Sequence, residues 1–124
     1  MAPQARLERL TQRQEFAAVL AHGRISAGRY FVVRARPSGL SFARLGVIAG
    51  RKPIRRAVDR NRCKRIVREV FRERKESLAM LDVVVMCRAA VPRKEAAGAR
   101  RELGRLLVAV SADRGPPPAI RTRQ

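Results

Sequence analysis

The chain has few of the side chains from which enzymes build active sites. Its 124 residues include one histidine, His22, and only ten acidic residues. A Ser–His–Asp set would have only His22 as its base, and no pair of carboxylates stands among apolar neighbours as general acid–base catalysis requires. The GxxxxGK pattern of a phosphate-binding loop is also absent. We therefore predict that the chain contains no catalytic residue of its own.

Cysteine is equally scarce. Cys63 and Cys87 stand alone, without CxxC spacing or a cluster of histidines, so the ligand set of a zinc site is missing. A structural disulfide is not favoured in a reducing compartment. We expect both thiols to be small buried hydrophobic groups, and we expect no metal ion or cofactor to be bound by side chains.

Long apolar runs are also missing. Residues 1–10, MAPQARLERL, lack the apolar core of a signal peptide. No segment approaches the roughly 18 apolar residues of a membrane-spanning helix. These absences predict a cytoplasmic protein without a membrane partner.

What the chain has in excess is positive charge. It carries 29 basic and ten acidic side chains, a net charge of +19, and only four of the basic residues are lysine. The planar guanidinium group suits phosphate and stacks on bases, although a biased genome composition would enrich arginine as well. Such a charge attracts nucleic acid with salt-sensitive affinity but gives no specificity by itself.

The pattern of apolar residues predicts one domain, which is what this length supports. We assign a basic flexible N-terminus to 1–10, an α+β domain to 11–112, and a disordered proline-rich tail to 113–124. Gly23 is expected to end the first helix in a left-handed conformation. The predicted order is α-β-β-α-β-α, a small central sheet with packed helices: helices over 11–22, 57–78 and 93–112, and strands over 29–36, 42–49 and 82–88, the first two antiparallel.

The first predicted strand has two different faces. Alternation places Phe31, Val33 and Ala35 on one face, and it places Tyr30, Val32, Arg34 and Arg36 on the other. One aromatic ring among arginines is a candidate platform for base stacking. Phe16 of the first helix either joins this platform or belongs to the core.

The segment 51–75 carries the strongest functional signal. Twelve of its 25 residues are basic and three are acidic. At 100° per residue the helix gathers its apolar side chains into a stripe about 140° wide: Cys63, Ile66, Val67, Val70 and Phe71. Its reverse side holds Asn61, Arg65, Arg68 and Arg72 within about 60°. The candidate phosphate donors on this helix are Arg60, Arg62, Lys64, Arg65, Arg68 and Arg72.

The sequence AVDRNRCKRIVREVF resembles the signature of the bacterial ribonuclease P protein subunit. The matching positions are Arg60-Asn61-Arg62, Lys64-Arg65, Arg68 and Phe71. The upstream GVIAGRKPIRRA resembles the family's strand running into this helix. RQEFAAVLAHGR resembles its N-terminal helix, and the resemblance extends over about residues 7–110.

This resemblance implies a left-handed β-α-β crossover that carries the RNR helix. It also implies a role in the ribonuclease P endoribonuclease holoenzyme, a hydrolase in which a catalytic RNA removes the 5′ leader of precursor tRNA with the help of Mg²⁺. The implied partners are that catalytic RNA and precursor tRNA, and no DNA is expected.

The resemblance assigns two sets of residues. The catalytic RNA would be bound by Arg51, Lys52, Arg55, Arg56, Arg60, Asn61, Arg62, Lys64, Arg65, Arg68 and Arg72. A cleft between the first helix and the sheet would bind the leader through Phe16, Leu20, Tyr30, Arg34 and Arg36. Leu20 and Arg34 stand where the family often has aromatic residues, so we expect leader contacts that are more ionic than stacked.

Three other functions compete with this interpretation. A ribosomal or RNA-assembly protein would explain the charge equally well but gives no reason for the RNR segment. A DNA-binding protein would be expected to have a shorter helix-turn-helix arrangement. An autonomous nuclease is disfavoured by the scarcity of acids and histidine.

Overall fold

A computed structural model describes residues 9–112, which form a four-stranded sheet with helices on both faces. The α+β fold predicted from the sequence is confirmed, with one additional strand. The elements in chain order are α1 (Arg13–His22), β1 (Arg24–Ala27), β2 (Phe31–Pro37), β3 (Arg44–Ala49), α2 (Ala57–Arg74), β4 (Leu81–Cys87), a short 3-10 helix (Arg93–Glu95) and α3 (Ala96–Ala112).

The strand order across the sheet is β1-β2-β4-β3. β2 is antiparallel to both of its neighbours, β1 and β4, whereas β3 and β4 are parallel. β3, α2 and β4 therefore form the β-α-β crossover for which the family resemblance implies a left hand. β4 is paired along both of its edges and lies between α1 on one face of the sheet and α2 and α3 on the other, and five of its seven residues from Leu81 onward are consecutively buried.

The two faces of the sheet bury cores of different size. The main core lies under α2 and α3 and includes Phe31, Val33 and Ala35, as strand alternation predicts. A smaller cluster lies under α1 and centres on Val19 and Val84. Helix α1 is therefore held by a few contacts, whereas α2 is fixed on an extensive core.

Strand β1 and the pairing of the longer strands were not predicted from the sequence. Arg24–Ala27 is four residues long and mostly exposed, so it has no apolar alternation to detect and exists through its pairing with β2. The predicted strands 29–36 and 42–49 run in opposite directions, as expected, but β4 lies between them and they share no ladder. The sequence Pro37-Ser38-Gly39 between the two strands indicates a turn, but it cannot show that another strand is inserted.

The ends of two helices also differ from expectation. Gly23 follows α1 in an extended conformation, with φ −81° and ψ 154°, so the left-handed stop is wrong. A Cβ at this position would lie 2.5 Å from the carbonyl oxygen of Val19, which makes close backbone approach the reason for glycine. Helix α2 ends at Arg74 instead of residue 78, because the chain turns there and Leu78 still packs in the core.

The predicted flexible N-terminus includes two residues that are folded. Arg9 bridges to Leu45 of β3, and the N–H of Leu10 donates to the Leu45 carbonyl at 3.0 Å. The rest of that segment, 1–8, and the predicted disordered tail, 113–124, lie outside the described residues. Within 9–112, no helix is long and apolar enough to cross a membrane. Cys63 and Cys87 are free and buried, as predicted.

Candidate nucleic-acid interface

From Asn61 to Arg72, helix α2 carries its buried apolar residues on one side and its exposed polar and basic residues on the other. The five apolar residues of the predicted stripe are between 0% and 6% exposed, and they pack on the sheet and α3. Asn61, Arg65, Arg68 and Arg72 are all exposed on the other side, and we call these four residues the RNR face. The eleven steps from Asn61 to Arg72, at a rise of 1.5 Å each, give this face a length of about 16 Å. A helix anchored along one side holds such a face in a fixed orientation.

Arg60 and Arg62, the two arginines of the RNR segment, differ from the arginines of the RNR face because they donate hydrogen bonds to carbonyl groups of the protein. Arg60 Nη1 donates to the carbonyl oxygens of Ile54 and Arg55, at 2.8 Å each. Arg62 Nη1 donates to the Val91 carbonyl at 3.2 Å and lies 3.4 Å from Asp59 Oδ1. Both side chains are half-buried. They fix the loops on either side of the helix start, and this role is not visible in the spacing of charges.

The loop before α2 carries four more of the predicted RNA-binding residues. Arg51, Lys52, Arg55 and Arg56 are exposed, whereas Ile54 between them is 1% exposed and belongs to the main core. Buried Ile54 and the Arg60 hydrogen bonds therefore hold this basic loop next to the first turn of α2. Lys64 is half-buried at the margin of the RNR face.

Half-buried side chains lie along the boundary between α1 and the sheet, and we call the surface that they form the α1 groove. Its helical side is formed by Phe16 and Leu20, which are both half-buried. Gly46 of β3 allows the ring of Phe16 to lie directly on the sheet, since a Cβ there would be 2.5 Å from a ring carbon. Phe16 thus contacts the small core and is also partly exposed, so both of its predicted roles remain compatible with the fold.

The floor of the α1 groove was not found by sequence reasoning. Val32, Met86 and Ile48 are register partners across β2, β4 and β3, and each is only half-buried. The sequence of β4, LDVVVMC, is almost entirely apolar and gives no sign that Met86 is less covered than its neighbours. The exposed part of Met86 depends on how far α1 extends over the sheet, which local sequence does not encode.

Arg34 and Arg36 lie on the α1 face of β2, as predicted. Arg34 Nη1 donates to the Leu20 carbonyl near the end of α1 at 3.1 Å, and its Nε is buried with no hydrogen-bond partner among the described residues. Arg36 is half-buried opposite Asp82 in the β4 register. Arg34 is therefore both a cation beside the α1 groove and a clamp on the helix that forms its wall.

Tyr30 does not lie on the face where alternation placed it. It precedes β2, is 6% exposed, and packs in the main core edge-on to Phe31. Its backbone N–H donates to the buried carboxylate of Glu102 on α3 at 2.8 Å. This bond draws the turn toward α3 and takes the ring with it. The expected stacking platform of Tyr30 with Arg34 and Arg36 is therefore not formed.

An ionic network that was not predicted joins α1 to the sheet. Arg44 donates from Nε and Nη2 to the two carboxylate oxygens of Asp82, both at 2.8 Å, and from Nη1 to Glu15 at 2.9 Å. The other Glu15 oxygen accepts the N–H groups of Gln12 and Thr11, and these bonds, with Arg44, lower the pKa of Glu15. The hydrogen bonds and charge of Asp82 raise the pKa of Arg44.

Residues 9–112 contain no group of three or more His, Cys, Asp and Glu side chains that could hold a metal ion. Glu15 and Asp82, which share a partner, are both bound to Arg44. The described part of the chain thus offers a cationic surface on α2 and the α1 groove on the opposite face of the sheet, but its residues do not fit a metal centre.

Comparisons with known proteins agree with this geometry. Residues 5–111 match the family model described as Ribonuclease P. The chain is 41% identical over 103 residues to the ribonuclease P protein component of Thioalkalivibrio sulfidiphilus, covering 83% of this chain and 86% of that one. It is 38% identical over 99 residues to the ribonuclease P protein component of Chromohalobacter salexigens, covering 79% of this chain and 77% of that one.

Solved structures give the same result. The fold superimposes on the RNase P protein from Thermotoga maritima with a TM-score of 0.63 and 30% identity, covering 85% of this chain and 96% of that one. The RNase P protein from Staphylococcus aureus gives a TM-score of 0.69 with 27% identity, covering 84% and 89%. The family inferred from the RNR segment is confirmed, and the chain belongs to the ribonuclease P protein family.

Proposed function

We propose that this chain is the protein subunit of ribonuclease P and assists 5′ maturation of precursor tRNA by a catalytic RNA. The observation that carries the proposal is the separation of residues on α2. Asn61, Arg65 and Arg68 are exposed while Ile66 and Val70 are buried, so a rigid element presents guanidinium groups outward. The chain takes part in endonucleolytic hydrolysis as a component of the holoenzyme.

The RNR face and the basic loop at 51–56 bind the catalytic RNA in this proposal. Guanidinium groups donate charge-assisted hydrogen bonds to phosphate oxygens, and their positive charge lowers the repulsion between two RNA molecules that must approach closely. Since the helix is already fixed on the core, little conformational entropy is lost on binding. Arg60 and Arg62 contribute mainly by positioning the loops, through the bonds described above.

The α1 groove binds the 5′ leader of precursor tRNA. Phe16 and Leu20 offer apolar surface for a base, and Arg34 and Arg36 lie beside them on the same face of the sheet. Unpaired bases are recognised by stacking and phosphates by cations. Mature tRNA lacks the leader and gains nothing from the groove, so the protein favours substrate over product.

The hydrolytic step belongs to the RNA, and we infer that Mg²⁺ is held there, because the described residues of the protein do not form a metal site. We further infer that the protein works in the cytoplasm, together with the RNA and the precursor tRNA.

Reconstitution tests the proposal. The protein is added to bacterial ribonuclease P RNA and precursor tRNA at low magnesium, and 5′ cleavage is measured against the RNA alone. The expected result is stimulation of cleavage with tighter binding of precursor than of mature tRNA. Tight binding to the RNA without any stimulation would favour the ribosomal or assembly function instead.

Substitutions on the RNR face locate the RNA contact. Arg65→Ala and Arg68→Ala should each weaken binding of the catalytic RNA and make its salt dependence shallower by about 0.7–0.9 in the log–log slope. The matched control removes two exposed arginines from α3, Arg101 and Arg105. Unchanged slopes in both RNR-face variants would mean that this face does not bind RNA.

Substitutions on β2 locate the leader contact. Arg34→Ala should weaken binding of precursor tRNA more than binding of mature tRNA. Because Arg34 also holds the end of α1, the thermal unfolding of the variant is measured in parallel. Arg36→Ala should also weaken binding of precursor tRNA more than binding of mature tRNA, and it should leave the end of α1 in place. Equal losses of affinity for both tRNAs in this variant would exclude a leader site beside β2.

A further inference from the structure

The loops at one end of the sheet concentrate positive charge to a degree that the RNR helix alone does not explain. Phe31, Cys87 and Ala49 form a row across β2, β4 and β3, and the chain leaves the sheet beyond this row in three segments, 28–30, 50–56 and 88–95. These segments contain eight Arg or Lys residues and one acid, Glu95. The segments 38–43 and 75–80 at the opposite end contain one Lys and one Glu.

Four of the eight cations lie outside the surfaces already assigned to RNA: Arg29, Arg88, Arg93 and Lys94. We call these the second basic cluster. All four are exposed, and among residues 9–112 neither Arg93 nor Lys94 forms an ion pair. Only Arg29 lies near an acid, 4.0 Å from Glu95, and its side chain is 75% exposed there, so this pair neutralises little of the cluster.

Backbone contacts hold the cluster in place. Arg88 donates from its N–H to the Tyr30 carbonyl at 2.9 Å and from Nη1 to the Gly28 carbonyl at 3.1 Å. The guanidinium of Arg29 lies 5.2 Å from the centre of the buried Tyr30 ring, which orients a side chain that would otherwise be free. The turn before β2 and the loop after β4 are therefore joined by two hydrogen bonds.

The same loop is joined to the RNR helix. Arg62 donates to the Val91 carbonyl at 3.2 Å, and the Cys63 thiol approaches the Ala89 carbonyl at 3.8 Å. Val91 is 1% exposed and belongs to the main core, so the loop is anchored two residues before Arg93. The second basic cluster thus continues the surface of α2 across a rigid junction.

We propose that the second basic cluster binds the phosphodiester backbone of the same catalytic RNA that contacts the RNR face. Charge complementarity identifies a polyphosphate partner, and continuity with α2 identifies which RNA it is. The cluster lies past the first turn of α2, so its contacts add to the RNR contacts and set the angle at which the RNA crosses the protein. This inference rests on the proposed function.

The experiment compares three double variants of the full chain. Arg93→Ala/Lys94→Ala removes two exposed charges from the cluster. Arg101→Ala/Arg105→Ala removes two exposed charges from α3 as the matched control, and Arg65→Ala/Arg68→Ala reports on the RNR face. Binding of the catalytic RNA alone is measured from 0.1 to 0.5 M salt. The cluster variant should bind about tenfold or more weakly at low salt, with a slope shallower by about 1.4–1.8 for two lost phosphate contacts.

The outcomes separate the possible failures. The inference is overturned if the cluster variant keeps the salt dependence of the wild type. It is also overturned if the α3 control loses as much affinity for the catalytic RNA as the cluster variant does. If binding of the catalytic RNA is normal but the assembled holoenzyme binds precursor tRNA more weakly, the cluster faces substrate and the inference is also wrong. If the RNR-face variant is unaffected as well, the proposed function fails instead. Equal thermal unfolding of all variants confirms that only binding has changed.

Discussion

Replacing Arg44 with alanine should destabilise the protein far more than its position near the surface suggests. The side chain of Asp82 is 10% exposed, and its two oxygens accept bonds from Arg44 at 2.8 Å. Without Arg44, a buried carboxylate would lose its only ion-pair partner among the described residues. Removing one partner of a buried pair costs about 3–5 kcal/mol. Since the Arg44 side chain is 19% exposed and water can reach the space it leaves, we expect about 3 kcal/mol.

Urea unfolding measures this loss. With a slope of about 1–3 kcal/mol per molar urea for a small domain, a loss of about 3 kcal/mol lowers the midpoint by about 1–3 M. The comparison variant is Arg100→Ala, which removes the pair of Arg100 and Glu69, whose side chains are 39% and 37% exposed. Water screens that pair, so its loss should move the midpoint much less.

The double variant Arg44→Ala/Asp82→Asn shows whether the buried charge is the cause. Neutralising Asp82 in the absence of Arg44 should recover part of the lost free energy of unfolding, because an amide costs less to bury than a carboxylate. The reasoning is refuted if Arg44→Ala loses no more stability than Arg100→Ala, or if Asp82→Asn gives no recovery.

Three further predictions follow from the same packing. The lowered pKa of Glu15 means that its stabilisation is complete above the ordinary value of 4.5 and is lost as the pH falls through the folded-state value, so the stability gap between wild type and Glu15→Gln should shrink in acid unfolding. Gly46→Ala places a Cβ 2.5 Å from the Phe16 ring, and it should lower both stability and precursor affinity, with stability recovered by adding Phe16→Ala. Arg60→Ala removes two bonds to carbonyls and should cost about 1–2 kcal/mol in urea unfolding, whereas Arg65→Ala should leave the midpoint unchanged.

Helix α2 shows which burial and exposure a helical period can predict and which it cannot. Its apolar stripe predicted every buried residue from Cys63 to Phe71, because a long helix on one core obeys a single 3.6-residue period. The same period predicted that Asn61, Arg65 and Arg68 are exposed. It could not distinguish exposed cations from Arg60 and Arg62, whose flexible stems allow the guanidinium to turn back to nearby carbonyls.

Tyr30 and β4 show where local pattern fails. Alternation assigns a face only inside a strand, and Tyr30 precedes β2, where its N–H is bound by Glu102, 72 residues later in the chain. A strand that enters the sheet between two earlier strands leaves no local signal of its position. Contacts of this kind depend on residues far apart in sequence.

By itself, the sequence determined a basic amphipathic helix on an α+β core, a polyanion as partner, and the family to which the chain belongs, because charge, period and motif are local properties. Only the tertiary structure decided that α1 lies on the opposite face from α2, that Arg44 joins Glu15 to Asp82, and that Arg62 joins α2 to the loop after β4. Strand order and long-range hydrogen bonds fix these arrangements, and both arise from the packing of the whole chain.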